Sequence, residues 1–160
     1  EQSGFEASSE SLFKEKLSII CPHEDNSDQD VSKIEDFWKA LGSYTKHLSA
    51  IEHDELFGKT SHMPHVISYA LMHSLYQDLD EKTFLYSGGS LEEYTRIASS
   101  DPIMWKDIMV SNREPILSSL KAFKISLDDL SNLIESNDSE GLIDFFSDVI
   151  FLLGPCTPPS

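Results

Sequence analysis

Four of the six histidines in this 160-residue chain fall in one stretch, at positions 53, 62, 65 and 73. His62 and His65 belong to the run Ser61-His62-Met63-Pro64-His65. Their spacing puts both imidazoles on one face of a helix, a turn apart, beside an apolar stripe of Leu56, Met63, Ile67, Ala70 and Leu71. Two imidazoles on a half-buried face need partners, and the spacing alone leaves two readings open: a hydrogen-bonded core pair, or part of a binding site. Arginine is scarce, with only Arg96 and Arg113 present. The planar fork of Arg96 can hold a carboxylate in two parallel bonds. It can equally form a surface ion pair with Glu92 or Glu93, which is worth little when exposed. His53-Asp54 is read as fixing the start of a long helix, and His73 as structural. A divalent metal site built on His53-Asp54, as in a metal-dependent phosphohydrolase, is a weaker alternative. His53 and His62 lie on different turns and no fourth ligand is marked.

The elements that would carry these residues can be read in order. Leu17, Ile19, Ile20 and Cys21 form an apolar run stopped by Pro22, which predicts a strand. After an acidic loop, Val31, Ile34, Trp38 and Leu41 recur at helical spacing, with Asp28 or Asp30 near the start and Gly42 as a left-handed cap just past the end. Tyr44 to Leu48 predicts a second strand. A βαβ-like unit of this kind leaves open sheet edges, so the expectation is that an upstream segment supplied the rest of the sheet.

From residue 50 the signals are helical. Ile51 to Leu79 reads as one long helix, with Pro64 marking a kink or a new start. Gly88-Gly89 breaks the pattern. Ser90 with Glu93 has the form of a capping box, and Asp101-Pro102 that of a cap followed by a first-turn proline. Trp105 and Met104 read as core or dimer contacts. Asn112 is placed to cap the next helix, and Ser139 begins a last one. Phe145, Phe146, Ile150 and Phe151 give that last helix more apolar surface than one stripe needs, so it is expected to be buried on two sides.

Composition excludes whole classes of function. Twelve Lys and Arg against 28 Asp and Glu leave a net charge of −16, which opposes binding to nucleic acid or to an anionic membrane. No apolar run has the length of a membrane span, and the N-terminus lacks the pattern of a signal peptide. Cys21 and Cys156 have no metal-ligand spacing and read as thiols in a reducing cytosol, with one long-range disulfide as the alternative. The first residue is Glu1 rather than methionine, which suits a fragment or a processed chain.

The ordered set Glu1-x-Ser3-Gly4, Trp38-x-x-Leu41-Gly42, His53-Asp54, Ser61-His62-x-Pro64-His65, Thr95-Arg96-Ile97-Ala98 and Asp101-Pro102-x-x-Trp105 resembles the prephenate dehydrogenase family, which includes arogenate dehydrogenases. The resemblance runs from residue 1 to about residue 135. It implies oxidative decarboxylation of prephenate or arogenate with NAD or NADP, in the cytoplasm. In the family a catalytic histidine in a His-Pro-x-Ala-Gly motif precedes the match to Glu1, so no catalytic residue is expected in this chain. The substrate-binding residues implied are His62, His65, Arg96, Glu1 and Gly89, the last from the neighbouring subunit.

The fold class expected is mainly α: an all-helical dimerisation domain over 51–153, preceded over 1–50 by a short βαβ-like remnant of a Rossmann-like domain and followed by a tail at 154–160. The Gly-x-Gly-x-x-Gly turn of a dinucleotide site is absent from the sequence. The partners implied are therefore a second copy of the chain and the small-molecule substrate, with no cofactor held by this chain. A stand-alone helical dimerisation or ligand-binding module is the rival reading.

Overall fold

The computed structural model describes residues 8–78, 86 and 88–153, and at 78, 152 and 153 the backbone alone. The chain divides between His62 and Met63 into two compact units.

The first unit is built on a two-stranded parallel sheet. Strand β1, Leu17–Ile20, pairs with β2, Tyr44–His47, in a register that sets Leu17 opposite Tyr44 and Ile20 opposite His47. Helix α1, Asp28–Ala40, makes the crossover that a parallel pair requires. Its cap is Ser27, whose hydroxyl accepts from the Asp30 N–H at 3.2 Å, while Asp28 and Asp30 occupy the first turn, where the helix dipole favours negative charge.

The helix ends as its sequence predicts. Gly42 has φ +88°, its N–H donates to the Lys39 carbonyl, and the Ser43 N–H donates to the Trp38 carbonyl. This paired closure needs a left-handed residue, the conformation glycine takes at least cost. Trp38 meets the edge of Phe13 with ring centroids 5.2 Å apart, and the buried Ser43 hydroxyl ties the Phe13 carbonyl at 3.0 Å.

Helix α2, Ala50–Phe57, follows, then a π-helical turn, Gly58–His62. The start of α2 is fixed by a capping box that the sequence reading overlooked. Ser49 accepts from the Glu52 N–H, and the Glu52 carboxylate accepts from the Ser49 N–H at 2.8 Å. His53 and Asp54, assigned that task from sequence, lie one turn inside. There the His53 ring stacks on Phe57, and its Nδ1 lies 3.0 Å from an Asp54 oxygen.

The second unit is wholly helical over its described residues: α3, Met63–Asp78; α4, Gly89–Ala98; α5, Pro102–Ser111; α6, Arg113–Glu135; and α7, Ser139–Leu153. Pro64 thus sits at the start of α3, where its missing N–H costs least. Helix α3 packs against α4 and α6, α5 against α6, and α6 against α7. The centre of the unit holds Met63, Ser68, Met72, Trp105, Asn112 and Ile116, all buried. Ser68 is fully enclosed and satisfies its hydroxyl on the Pro64 carbonyl at 2.8 Å.

The turn between α6 and α7 closes through Asn137 at φ +52°, with its N–H on the Ile134 carbonyl and the Asp138 N–H on the Leu133 carbonyl. The Asp138 side chain then caps α7 on the Gly141 N–H at 2.9 Å.

Two expectations need correction. Ser90 does not cap α4: the helix opens at Gly89 after Gly88, which has no side chain to offer, and Ser90 already lies inside the first turn. Helix α7 is not covered on two sides, since Ile143, Phe146, Ile150 and Phe151 are all exposed. Its apolar excess has no partner among the described residues of its own unit.

Candidate functional site

Within the helical unit the sequence candidates lie on α3 and α4, with Trp105 of α5 against the first of them. His65, in the first turn of α3, lies flat on the indole of Trp105 from α5, with ring centroids 3.5 Å apart and planes 21° from parallel. Trp105 is 6% exposed, so the imidazole is half-buried against a fixed wall. Stacking on a buried indole sets the plane of the imidazole, and with it the plane in which its two nitrogens lie.

Trp105 is held in place by the start of its own helix. The Asp101 carboxylate accepts from the Ile103 and Met104 N–H groups at 2.9 and 2.8 Å, and Pro102 fills the first position, where no donor is needed. Next to this cap, the Tyr69 hydroxyl of α3 donates to the Ser100 carbonyl at 2.9 Å. Burial, and then the nearby Asp101 charge, push the Tyr69 phenol above its usual range, so it is a neutral donor at physiological pH.

Arg96 stands in the last turn of α4 and reaches Glu93 on its own helix, with Nε at 3.0 Å and Nη2 at 2.9 Å from one carboxylate oxygen. Both side chains are about two-thirds exposed, at 64% and 68%. The fork edge that would grip a ligand carboxylate is therefore turned to Glu93, an exchangeable partner on the surface. The preceding Thr95 hydroxyl bonds the Leu91 carbonyl at 2.9 Å and touches the Met72 sulfur at 3.7 Å, which seats α4 on α3.

Gly89 is the first residue of α4, and a Cβ there would meet nothing within 4 Å. It borders open space among the described residues. His62 is the half-buried last residue of the π-helical turn, in the first unit. Glu1 and Cys156 lie outside the described residues, and Cys21 is a free, exposed thiol. Sequence reasoning treated Trp105 as packing and missed its role as the plate under His65, although the Asp-Pro-x-x-Trp spacing that delivers it was visible.

Among the described residues, those around the sheet do not fit a dinucleotide. A pyrophosphate seat needs close backbone approach at an uncrowded helix N-terminus. The hollow of about 250 Å³ beyond β1 is lined instead by Ile20, Pro22 and Asp30, and the first turn of α1 carries two carboxylates. Among the described residues no three His, Cys, Asp or Glu side chains converge to hold a metal ion, and no helix is long and apolar enough to cross a membrane.

The unit that carries the stacked imidazole and, on the adjoining helix, the arginine is an all-helical domain. The sequence profile of the prephenate dehydrogenase dimerization domain matches residues 49–148. The chain belongs to that family.

It is 34% identical to the cyclohexadienyl dehydrogenase of Zymomonas mobilis over 151 residues, covering 92% of this chain and 52% of that protein. It is 29% identical to the prephenate dehydrogenase of Bacillus subtilis, covering 91% of this chain and 40% of that one. Among solved structures it is similar to prephenate dehydrogenase from Aquifex aeolicus in complex with hydroxyphenyl propionate and NAD+. The TM-score is 0.87 and the identity 33%, over 94% of this chain and 54% of that one. The arogenate dehydrogenase of Synechocystis shares the fold at 19% identity and a TM-score of 0.74. The chain thus spans about half the length of the curated relatives it matches.

Proposed function

We propose that this chain is the substrate-binding and dimerisation part of a prephenate dehydrogenase. The complete enzyme oxidatively decarboxylates prephenate or arogenate in the cytoplasmic synthesis of tyrosine. In this proposal residues 1–50 belong to the nucleotide-binding domain and 51–153 to the helical domain. His62, His65 and Arg96 bind the substrate, assisted by Glu1 and by Gly89 of a second copy, and the acidic hollow beyond β1 leaves NAD or NADP to residues outside these 160.

The observation that carries the proposal is the likeness, at a TM-score of 0.87, to an enzyme crystallised with hydroxyphenyl propionate, an aromatic carboxylate. The exposed Ile143, Ile150 and Phe151 of α7 support a homodimer, since apolar side chains left in water on one helix favour a covering partner.

The test uses the chain as it stands. Sedimentation is expected to show a dimer, and calorimetry to show binding of hydroxyphenyl propionate that is lost in His65→Ala. Mixing with prephenate and either nucleotide is expected to give no nicotinamide reduction. Turnover by the chain alone would overturn the assignment of the chemistry to other residues. Binding of hydroxyphenyl propionate that is indifferent to His65 and Arg96 would overturn the site.

A further inference from the structure

An imidazole on a helix does not hold its own plane, because the torsion that turns the ring about the Cβ–Cγ bond is broad and roughly two-fold. A half-buried histidine in the first turn of a helix, as His65 is in α3, needs a neighbour to fix it. That neighbour is Trp105, stacked on it at 3.5 Å. The indole is itself fixed. At 6% exposure it has no room to swing, and its helix is anchored one turn earlier by the Asp101 carboxylate on the Ile103 and Met104 N–H groups.

A second tie joins the same two parts of the chain a turn away. Tyr69 follows His65 by four residues, which puts it on the same face of α3. Its hydroxyl donates to the carbonyl of Ser100, the residue before the Asp101 cap. The enclosed Ser68 hydroxyl, between them in sequence, bonds the Pro64 carbonyl directly before His65. The backbone under the imidazole and the plate against it are thus both held.

The indole closes one face of the imidazole, so a ligand meets that ring only at its edge or its other face. We infer that Trp105 is a positioning residue, which acts on a bound aromatic carboxylate through His65 by holding the imidazole in one plane before the ligand arrives. Fixing the ring in advance removes an ordering cost that binding would otherwise bear. The inference rests on the substrate site proposed above and adds to it a residue that does not itself grip the ligand.

The test is the Kd for hydroxyphenyl propionate, measured on the whole chain by calorimetry, with folding checked by circular dichroism. Trp105→Leu and Trp105→Phe both shrink a buried side chain, but only phenylalanine keeps a ring face. Leucine is expected to weaken binding about five- to tenfold and phenylalanine less than about threefold, within the range that one aromatic pair supports. The ring protons of His65, shifted upfield by the indole in the ligand-free protein, are expected to move to ordinary positions with leucine and only partway with phenylalanine. In His65→Gln, which keeps a donor but has no ring to orient, adding Trp105→Leu is expected to cost less than about twofold more. Should Trp105→Leu fail to fold, Trp105→Met takes its place, a flexible filler without a ring.

Equal losses with leucine and phenylalanine would make Trp105 merely structural and overturn the inference. A loss as large in His65→Gln as in the starting protein would mean that the indole touches the ligand directly, and would overturn it as well. Either result leaves the substrate site standing, whereas a starting protein that does not bind hydroxyphenyl propionate would overturn both.

Discussion

Asp101 joins the stability of the helical unit to the geometry of the site, so its replacement tests both. The carboxylate satisfies two first-turn N–H groups, at 2.9 and 2.8 Å, and Pro102 has none to satisfy. Alanine removes the oxygen that accepts both bonds, which costs about 1–2 kcal/mol for a helix cap. Asparagine keeps an acceptor and loses only the negative charge at the helix N-terminus, worth about 0.3–1 kcal/mol. For a chain of this size each kcal/mol lowers the midpoint by about 2–4 °C, so Asp101→Ala is expected to melt about 2–8 °C lower and Asp101→Asn about 1–4 °C lower.

Both are measured at one protein concentration, because the Tm of an associating protein depends on it. Phenol titration followed by ultraviolet absorbance provides a second readout. Asp101→Asn is expected to bring Tyr69 partway back toward the usual phenol value of 10.0, because the Asp101 charge is removed while burial, the larger cause, remains. Equal losses in the two variants would refute the charge argument, and an unchanged Tm in Asp101→Ala would refute the cap as the anchor of α5.

Gly42→Ala forces a Cβ into the left-handed region at φ +88° and to 3.3 Å from the Lys14 Cα, so urea unfolding should show a loss of about 1–2 kcal/mol. Asn137→Gly removes a Cβ from a residue at φ +52°, and the same assay should show a gain of up to about 1 kcal/mol. The Glu52 carboxyl is held below its usual range of 4.5 by the Ser49 N–H and then by the Ser49 hydroxyl, so its contribution is present above that range and lost as pH falls through the folded value. Glu52→Gln keeps the cap without titrating, and helicity followed from about pH 5 to pH 3 should decline less steeply in that variant. In an enzyme completed by its nucleotide-binding domain, Arg96→Ala should raise the KM for the substrate far more than that for the nucleotide, and equal effects on both would make Arg96 structural.

The local structure was legible because its causes are local. Gly42 after a 3.6-residue repeat, Asp101-Pro102 before an apolar face, and a strand–helix–strand order in the first 50 residues each act within a few residues of backbone. The capping box at Ser49 and Glu52 was equally local and was obscured by the more conspicuous His53-Asp54 beside it. Ser90 and Glu93 matched the same template and failed it, because the chain enters α4 one residue earlier.

The types and spacing of His65 and Arg96 marked them as candidates in the sequence, but no spacing rule relates residues 40 positions apart, the separation of His65 and Trp105. Tertiary packing decided that the tryptophan is the plate beneath the imidazole, whereas the Arg96–Glu93 pair across one turn of α4 is local and was one of the readings the spacing left open. The apolar excess of α7 was likewise plain from composition, yet which side of the helix remained open depended on where α6 lay. Sequence fixes which side chains a helix carries and on which of its stripes; which stripe meets another helix depends on the free energy of packing the whole unit.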